Sequence, residues 1–180
     1  MLNTITQKLE SSTPLERTEA LWLLTEADLL ELGRDRVAVI GFSEHSTVAL
    51  GLSAERARIA AALGGLTSSP GTRLDLGLQA SRAVLQGDGR PGARAVVILL
   101  TDGFHAGPAI DVLVEAELLG RVGSLLYSIG LGAEIDRDLL EAIARPKGAF
   151  YASPSTEDLG AIYRAILERV TCDAAQATAP

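Results

Sequence analysis

The chain has 180 residues, of which 47% are hydrophobic and 22% charged, a composition typical of a folded globular protein and not of a disordered one. Its formal net charge of -7 at pH 7 argues against a nucleic-acid partner, because nucleic-acid phosphates would be repelled. Cys172 is the only cysteine, which excludes an internal disulfide and a cysteine metal cluster. The sequence shows neither a secretory signal nor an apolar run of about 18–20 residues, the length of a membrane helix. We therefore expect a cytoplasmic protein without membrane insertion.

The first half of the chain alternates predicted helices and strands. Residues 13–16, Thr-Pro-Leu-Glu, form a capping box with proline at the first helical position, and they predict a helix that ends near residue 32. A buried strand over 36–42 and a short strand over 47–50 follow, joined by a polar turn that predicts an antiparallel edge. The next predicted elements are a helix from Ser53 to Gly64 and a helix over 72–86.

The second half continues this alternation and decides the fold class. Its predicted elements are a strand over 95–100, a helix over 109–119, a strand over 125–130, a helix from Asp136 to Ala144, a strand over 149–152 and a helix from Ser155 to Val170. The order predicts an α/β fold: a three-layer, doubly wound, Rossmann-like sheet that is mostly parallel, with helices on both faces and one antiparallel edge strand. We expect one domain over residues 14–170, an atypical segment over 1–13 and a flexible tail over 171–180.

The apolar run of residues 95–100 ends at Thr101-Asp102-Gly103. A run of that length, rich in β-branched residues, indicates a strand buried on both faces. Ligand sites of open α/β sheets form at the carboxyl edge, where Asp102 lies. Aspartate before glycine is also a common turn former. From the residues alone, both roles of Asp102 stay open.

Thr72 is the second candidate at this edge, at the start of the predicted helix over 72–86. Its hydroxyl could join a hard cation beside Asp102, because Mg²⁺ prefers oxygen ligands. The spacing Thr72-x-x-Asp75 equally predicts a helix capping box. One hydroxyl and one carboxylate are by themselves too few ligands to predict a metal site.

The two histidines, His45 and His105, are expected to be ordinary surface residues. The chain has no Gly-x-Ser-x-Gly elbow, no P-loop and no Gly-x-Gly-x-x-Gly turn between a strand and a helix, so we expect no enzyme activity. The alternative is a small α/β hydrolase that uses Asp102 and His105. It would need an apolar pocket and a perturbed carboxylate at the sheet edge.

Three motifs occur in the order and spacing of the von Willebrand factor A domain family. Residues 34–43, which end in Phe-Ser, resemble the family's second strand, Gly71-Thr72 resembles its helix opening, and residues 101–103 resemble the end of its fourth strand. The resemblance covers residues 14–170, and the late helix around 158–163 is similar to the closing helix of many bacterial members. It implies a protein–protein interaction module and not a catalyst.

The resemblance also implies a metal-ion-dependent adhesion site at the carboxyl edge. Thr72 and Asp102 occupy two of its ligand positions, with Mg²⁺ as the implied ion, and a carboxylate of the partner protein typically completes the coordination. The partner-binding edge is then expected to comprise Ser43, Glu44, Gly103, Phe104 and His105.

The chain departs from the family near its start. At the family's usual spacing, Ile5, Gln7 and Leu9 stand where the family has its Asp-x-Ser-x-Ser metal loop, and none of them can bind a metal ion. A shortened loop would bring Glu10 and Ser12 to the site instead, as weak candidates, after a stunted first strand. We therefore expect an incomplete metal site with weak or absent Mg²⁺ binding.

A missing central strand would leave the backbone groups of both bordering strands unpaired in the middle of the sheet. Three outcomes are open. The N-terminal segment pairs there after all, a strand of another chain completes the sheet by β-augmentation, or the chain is a truncated, non-functional fragment in which the bordering strands close up. We favour the first outcome because it needs no other chain.

Overall fold

The computed structural model describes residues 4–7, 35–67, 69–145, 147–153 and 158–177. Its strands are β1 (Thr4–Gln7), β2 (Val37–Phe42), β3 (Ser46–Ser53), β4 (Val96–Thr101), β5 (Leu125–Leu131) and β6 (Ala149–Ser153). Its described helices are α1 (Arg56–Gly64), α2 (Leu74–Asp88), α3 (Ala109–Arg121), α4 (Arg137–Ala144) and α5 (Leu159–Ala177). None of these helices combines the length and the hydropathy that crossing a membrane requires.

The strands form one sheet in the order β3-β2-β1-β4-β5-β6. Neighbouring strands run parallel except at one edge, where β3 lies antiparallel to β2. Core residues of α1 and α5 pack on one face of the sheet, and core residues of α2, α3 and α4 pack on the other. The predicted fold class, three layers with one antiparallel edge strand, is confirmed.

Strand β4 serves both apolar layers. All six of its residues are buried. Val96, Ile98 and Leu100 pack in the cluster under α1 and α5, and the residues between them pack in the cluster under α2, α3 and α4. Because successive residues of a strand point to opposite faces, only an unbroken apolar run can serve both layers. The strand therefore delivers Asp102, the next residue after it, to the carboxyl edge.

The short strand β1 occupies the centre of the sheet, as the favoured outcome predicts. It pairs in parallel with β2 on one side and with β4 on the other, so that Ile5 lies opposite Val39 and Ile98. The chain's own strand thus fills the gap between β2 and β4. Counting at the family's spacing places Ile5 at the start of the metal loop, and this is wrong, because Ile5 lies within the strand ladder.

Strand β3 is longer than predicted, and this moves the start of the next helix. It runs from Ser46 to Ser53, so Ser53 ends the strand and α1 begins only at Arg56. The Ser53 hydroxyl accepts a hydrogen bond from the Glu55 N–H at 3.1 Å. The predicted helix cap at Ser53 is therefore wrong, since this hydroxyl stabilises the turn that leads out of the strand.

The later elements follow the prediction more closely. The Asp136 carboxylate accepts a hydrogen bond from the Leu139 N–H at 3.1 Å, which confirms the predicted cap of α4. Helix α5 continues past its predicted end to Ala177, because the added turns contain alanine, the strongest helix former. The flexibility of the tail and the domain limits stay predictions. The predicted helix over 13–32 and the cap at Ser155 lie outside the described residues.

Candidate functional site

Three loops meet at the carboxyl edge of the sheet: the turn after β2, the segment before α2 and the loop after β4. The Arg73 N–H donates to the Ser43 carbonyl at 2.9 Å, which joins the first two loops. The Ala106 N–H donates to the Thr72 carbonyl at 2.8 Å, which joins the second loop to the third. Backbone hydrogen bonds thus hold the segment that carries Thr72 to the loop on each side of it.

Gly71 lies where the turn after β2 comes closest to the segment before α2. The Glu44 N–H donates to the Pro70 carbonyl at 3.2 Å, and a Cβ built on Gly71 would lie 2.5 Å from the Glu44 Cγ and 3.1 Å from the Glu44 nitrogen. Gly71 also has a φ of +83°, a conformation that favours glycine. Only glycine fits there, and the next residue, Thr72, is held in a buried position, 4% exposed.

Asp102 leaves β4 at this edge and is only 9% exposed. The Thr101 hydroxyl before it accepts a hydrogen bond from the Gly103 N–H at 3.4 Å, a local side-chain bond that stabilises the turn at the end of the strand. Asp102 and Thr72 are thus two buried polar residues on loops that a backbone hydrogen bond joins. Their shared role as ligands stays a prediction.

His105 is buried, and its interpretation as a surface residue is wrong: the side chain is 3% exposed. Ring atom Nδ1 lies 3.3 Å from the Leu74 nitrogen and 3.1 Å from the Thr72 carbonyl oxygen. With the ring proton on Nε2, Nδ1 accepts the Leu74 N–H, and with the proton on Nδ1, it donates to the Thr72 carbonyl. In either tautomer, the ring holds the loop after β4 against the start of α2.

These contacts bear on both roles that the sequence suggests for His105, in a hydrolase site and at the partner edge. Atom Nε2 lies 3.9 Å from Asp75 Oδ1, so the polar contacts described for the ring all go to residues 72–75. The side chain, 3% exposed, offers little surface to a partner, and none of the contacts described for the ring supports the hydrolase alternative. The sequence carries no signal for this role, because Leu74 and His105 lie 31 positions apart. His45, in contrast, is exposed as predicted.

A bidentate ion pair stands beside His105. The Arg73 guanidinium donates from Nε to Asp75 Oδ1 at 2.8 Å and from Nη2 to Asp75 Oδ2 at 2.5 Å. These hydrogen bonds lower the pKa of Asp75 from its usual value, against the opposing effect of burial. Helix α2 begins at Leu74 with Arg73 as its N-cap residue. The capping-box interpretation, with Thr72 as the cap, is therefore wrong, and Asp75 serves to hold Arg73.

The described residues supply few metal ligands at this edge. They contain no group of three or more His, Cys, Asp or Glu side chains that could hold a metal ion. Thr72 and Asp102 would provide one hydroxyl and one carboxylate, whereas Mg²⁺ prefers near-octahedral coordination by oxygen. Glu10 and Ser12, the further candidates, lie outside the described residues. The donor set on the described loops therefore fits a partial site and not a complete one.

The outer rim of the edge is more accessible than the two candidate ligands. Glu44 is exposed, and Phe104 is exposed to 56%. Ser43 and Gly103 are half-buried. A solvent-facing phenyl ring offers a large apolar contact to a partner, so Glu44 and Phe104 are the accessible members of the predicted partner edge.

The family model of the von Willebrand factor type A domain matches residues 25–165. A von Willebrand factor type A structure from Catenulispora acidiphila is similar with a TM-score of 0.79 and 20% identity, covering 92% of this chain and 41% of that one. Proximal thread matrix protein 1 from the mussel byssus, with zinc in its MIDAS motif, is similar with a TM-score of 0.76 and 24% identity, covering 94% of this chain and 45% of that one. The vWF domain of the type V pili tip protein Mfa5 from Porphyromonas gingivalis is similar with a TM-score of 0.73 and 10% identity, covering 96% of this chain and 94% of that one.

The first two of these structures are much longer than this chain, which spans 41% of one and 45% of the other. At identities of 10–24%, the likeness shows the fold alone. The zinc ion is a property of the mussel protein.

We expect His105→Ala to lower the free energy of unfolding by about 1–3 kcal/mol, because a buried ring and its hydrogen bond to the start of α2 are both lost. His45→Ala is the matched control at the exposed histidine, and it should change this free energy by less than about 0.5 kcal/mol. Urea unfolding followed by circular dichroism measures both. Equal effects of the two substitutions would contradict the anchoring role of His105.

Substitution of Asp75 tests the ion pair through its pH dependence. The pKa of Asp75 is lowered in the folded chain, so its charge stabilises the fold above the ordinary aspartate value of about 3.9 and loses this effect as the pH falls through the lower folded value. We expect Asp75→Asn to cost about 1–3 kcal/mol at neutral pH, and this difference from the wild type to shrink below about pH 4. Asp88→Asn, at the exposed end of α2, is the control. A difference that stays constant with pH would contradict the ion pair.

Proposed function

This chain belongs to the von Willebrand factor type A domain family, and we propose that it binds a partner protein at the carboxyl edge of its sheet. Members of this family generally mediate protein–protein interactions. The observation that carries the proposal is the fixed geometry of this edge, where Arg73 and Ala106 tie the Thr72 segment to both neighbouring loops. A surface that is ordered before binding pays less conformational entropy when the partner arrives.

In this proposal, the partner protein contacts the outer rim of the edge, which consists of Ser43, Glu44, Gly103 and Phe104. Phe104 is its apolar anchor, since an exposed aromatic ring is typical of the residues that dominate binding energy. Glu44 supplies a charged group on the neighbouring loop, and the half-buried Ser43 and Gly103 complete the rim. His105 supports this rim from beneath without touching the partner, because its side chain is buried.

The metal site in this proposal is incomplete. Thr72 and Asp102 are its ligands, and Glu10 and Ser12 are the weaker candidates for the remaining positions. When bound, Mg²⁺ would supply an electrophilic centre for a carboxylate of the partner. Because Thr72 and Asp102 contribute only one hydroxyl and one carboxylate, the affinity of the free domain for the ion is weak, and partner binding depends mainly on the rim.

The proposal makes the domain a binding module and not an enzyme. The hydrolase alternative requires His105 to serve Asp102, whereas the contacts described for the ring are with Thr72, Leu74 and Asp75. No observation at this edge favours a second function.

Calorimetric titration with MgCl₂ or MnCl₂ tests the incomplete site. We expect affinity no tighter than millimolar for the wild-type chain, because two protein ligands leave most of the coordination shell to water. Asp102→Ala should abolish this weak binding, whereas Asp88→Ala, at the exposed end of α2, should preserve it. Micromolar affinity that disappears in Asp102→Ala would refute the claim that the site is incomplete.

Peptide display tests the partner edge. A library of random peptides is selected on the wild-type chain and then depleted on the Phe104→Ser variant, so that the survivors require Phe104. We expect the survivors to bind the wild type at least about tenfold more tightly than Phe104→Ser, as is usual for an aromatic anchor. They should bind Val48→Ser, a control at a residue that is 46% exposed on β3, like the wild type. If no peptide survives the depletion, the proposed edge is contradicted.

A further inference from the structure

A second concave surface lies on the other side of the molecule, away from Thr72 and Asp102. A cavity of about 410 Å³ opens between α3 and α4, beside the amino-terminal end of β5. This volume falls in the range of about 300–1,000 Å³ that is typical of ligand-binding clefts. We call it the α3–α4 groove; its lining includes Leu113, Ala116, Gly120, Leu126, Ile143 and Arg145.

The groove continues into an exposed apolar stripe on α3. Ile110 is 60% exposed, Leu113 is 37% exposed and Val114 is 47% exposed, and this spacing places the three side chains on one face of the helix. Among the described residues, four of the six exposed large hydrophobic residues lie on α3 or directly after it: Ile110, Leu113, Val114 and Val122. Such a concentration on one helix and its flanks is typical of an interaction surface.

The rim of the groove is positively charged in a chain whose net charge is -7. Arg121, Arg145 and Lys147 line it together with a single acid, Glu117. Arg121 pairs with Glu117 at 2.6 Å, but both side chains are 65–70% exposed, and such pairs are worth little in water. Arg145 is 79% exposed at the end of α4, beside Glu141 at 3.4 Å. These guanidinium groups can therefore exchange their present contacts for the carboxylates of a partner.

We infer that the α3–α4 groove is a docking surface for an acidic amphipathic helix of another protein. Apolar side chains of that helix, three or four positions apart, enter the groove beside Leu113 and Ile143, as in other helix-in-groove complexes. Its acidic side chains meet Arg121, Arg145 and Lys147 at the rim. The groove and the carboxyl edge are separate surfaces, so the domain can hold two partners at once, and the inference does not depend on the proposed function of the edge.

Filling the groove with a large side chain tests this docking surface. A Cβ built on Gly120 meets no atom within 4 Å, so Gly120→Trp places an indole in the groove at little cost to the fold. Gly87 on α2 is exposed and equally open, which makes Gly87→Trp the matched control. Ala142→Trp, at an exposed lining residue of α4, blocks the groove from the other helix and serves if Gly120→Trp fails to fold.

The probe is a fluorescein-labelled helical peptide with leucine at positions i, i+3, i+4 and i+7 and glutamate on its flanks, measured by fluorescence anisotropy with the full chain. We expect Gly120→Trp and Ala142→Trp to weaken its binding by at least about tenfold, as loss of an anchoring pocket does, and Gly87→Trp to leave it unchanged. The double variant Arg145→Glu with Lys147→Glu should weaken binding and reduce its salt dependence. The matched double variant Arg56→Glu with Arg58→Glu on α1 should do neither.

The inference is overturned if the probe binds the blocked and wild-type chains equally, or if it fails to bind the wild type at millimolar concentration. It is also overturned if a version of the probe with lysine in place of glutamate binds equally well. Sedimentation velocity gives a further contradiction if the wild-type chain dimerises and Gly120→Trp is a monomer. In that case a second copy of the chain, and not an acidic helix, occupies the groove.

Discussion

The pairing of β1 between β2 and β4 is the constraint on which the rest of the molecule depends. Thr4–Gln7 is only four residues long, yet it supplies hydrogen-bond partners to two strands that would otherwise have unpaired backbone groups at the centre of the sheet. It also sets their separation, because neighbouring strands lie about 4.8 Å apart and the two strands beside β1 therefore lie roughly 10 Å apart. The loops that follow β2 and β4 carry Ser43 and Asp102, so β1 determines how the loops of the carboxyl edge are spaced.

The Thr72 segment connects the loop after β2 to the loop after β4. It accepts the Ala106 N–H and donates the Arg73 N–H to Ser43, and His105 packs against the same segment. Such ties order the edge before any partner arrives, which favours a binding surface. The α3–α4 groove lies toward the opposite end of the parallel strands, where the lining is apolar and the rim is cationic. One compact sheet thus presents two surfaces of different chemistry.

Much of this architecture is readable from the sequence, because the features that decide it are local. The apolar run of β4 predicts a strand buried on both faces, Asp136 predicts its helix cap, and the Gly-Thr and Thr-Asp-Gly motifs identify the loops of the edge. Features that depend on contacts between distant segments are not readable in this way. The burial of His105 depends on Leu74 and Asp75. The register of β1 depends on strands that follow much later in the chain, so counting residues along the sequence gives Ile5 the wrong place. The start of α1 at Arg56 likewise depends on the pairing that extends β3 to Ser53.

Hydrogen exchange of the intact chain, measured amide by amide with NMR, tests the central role of β1 most directly. Amides of Thr4–Gln7 that pair with β2 or β4 should be protected to the same degree as the amides of those two strands, because all three open together when the sheet unfolds. Exchange of the β1 amides as fast as that of exposed loops, while β2 and β4 stay protected, would contradict the account. It would mean that the sheet is held together without its central strand.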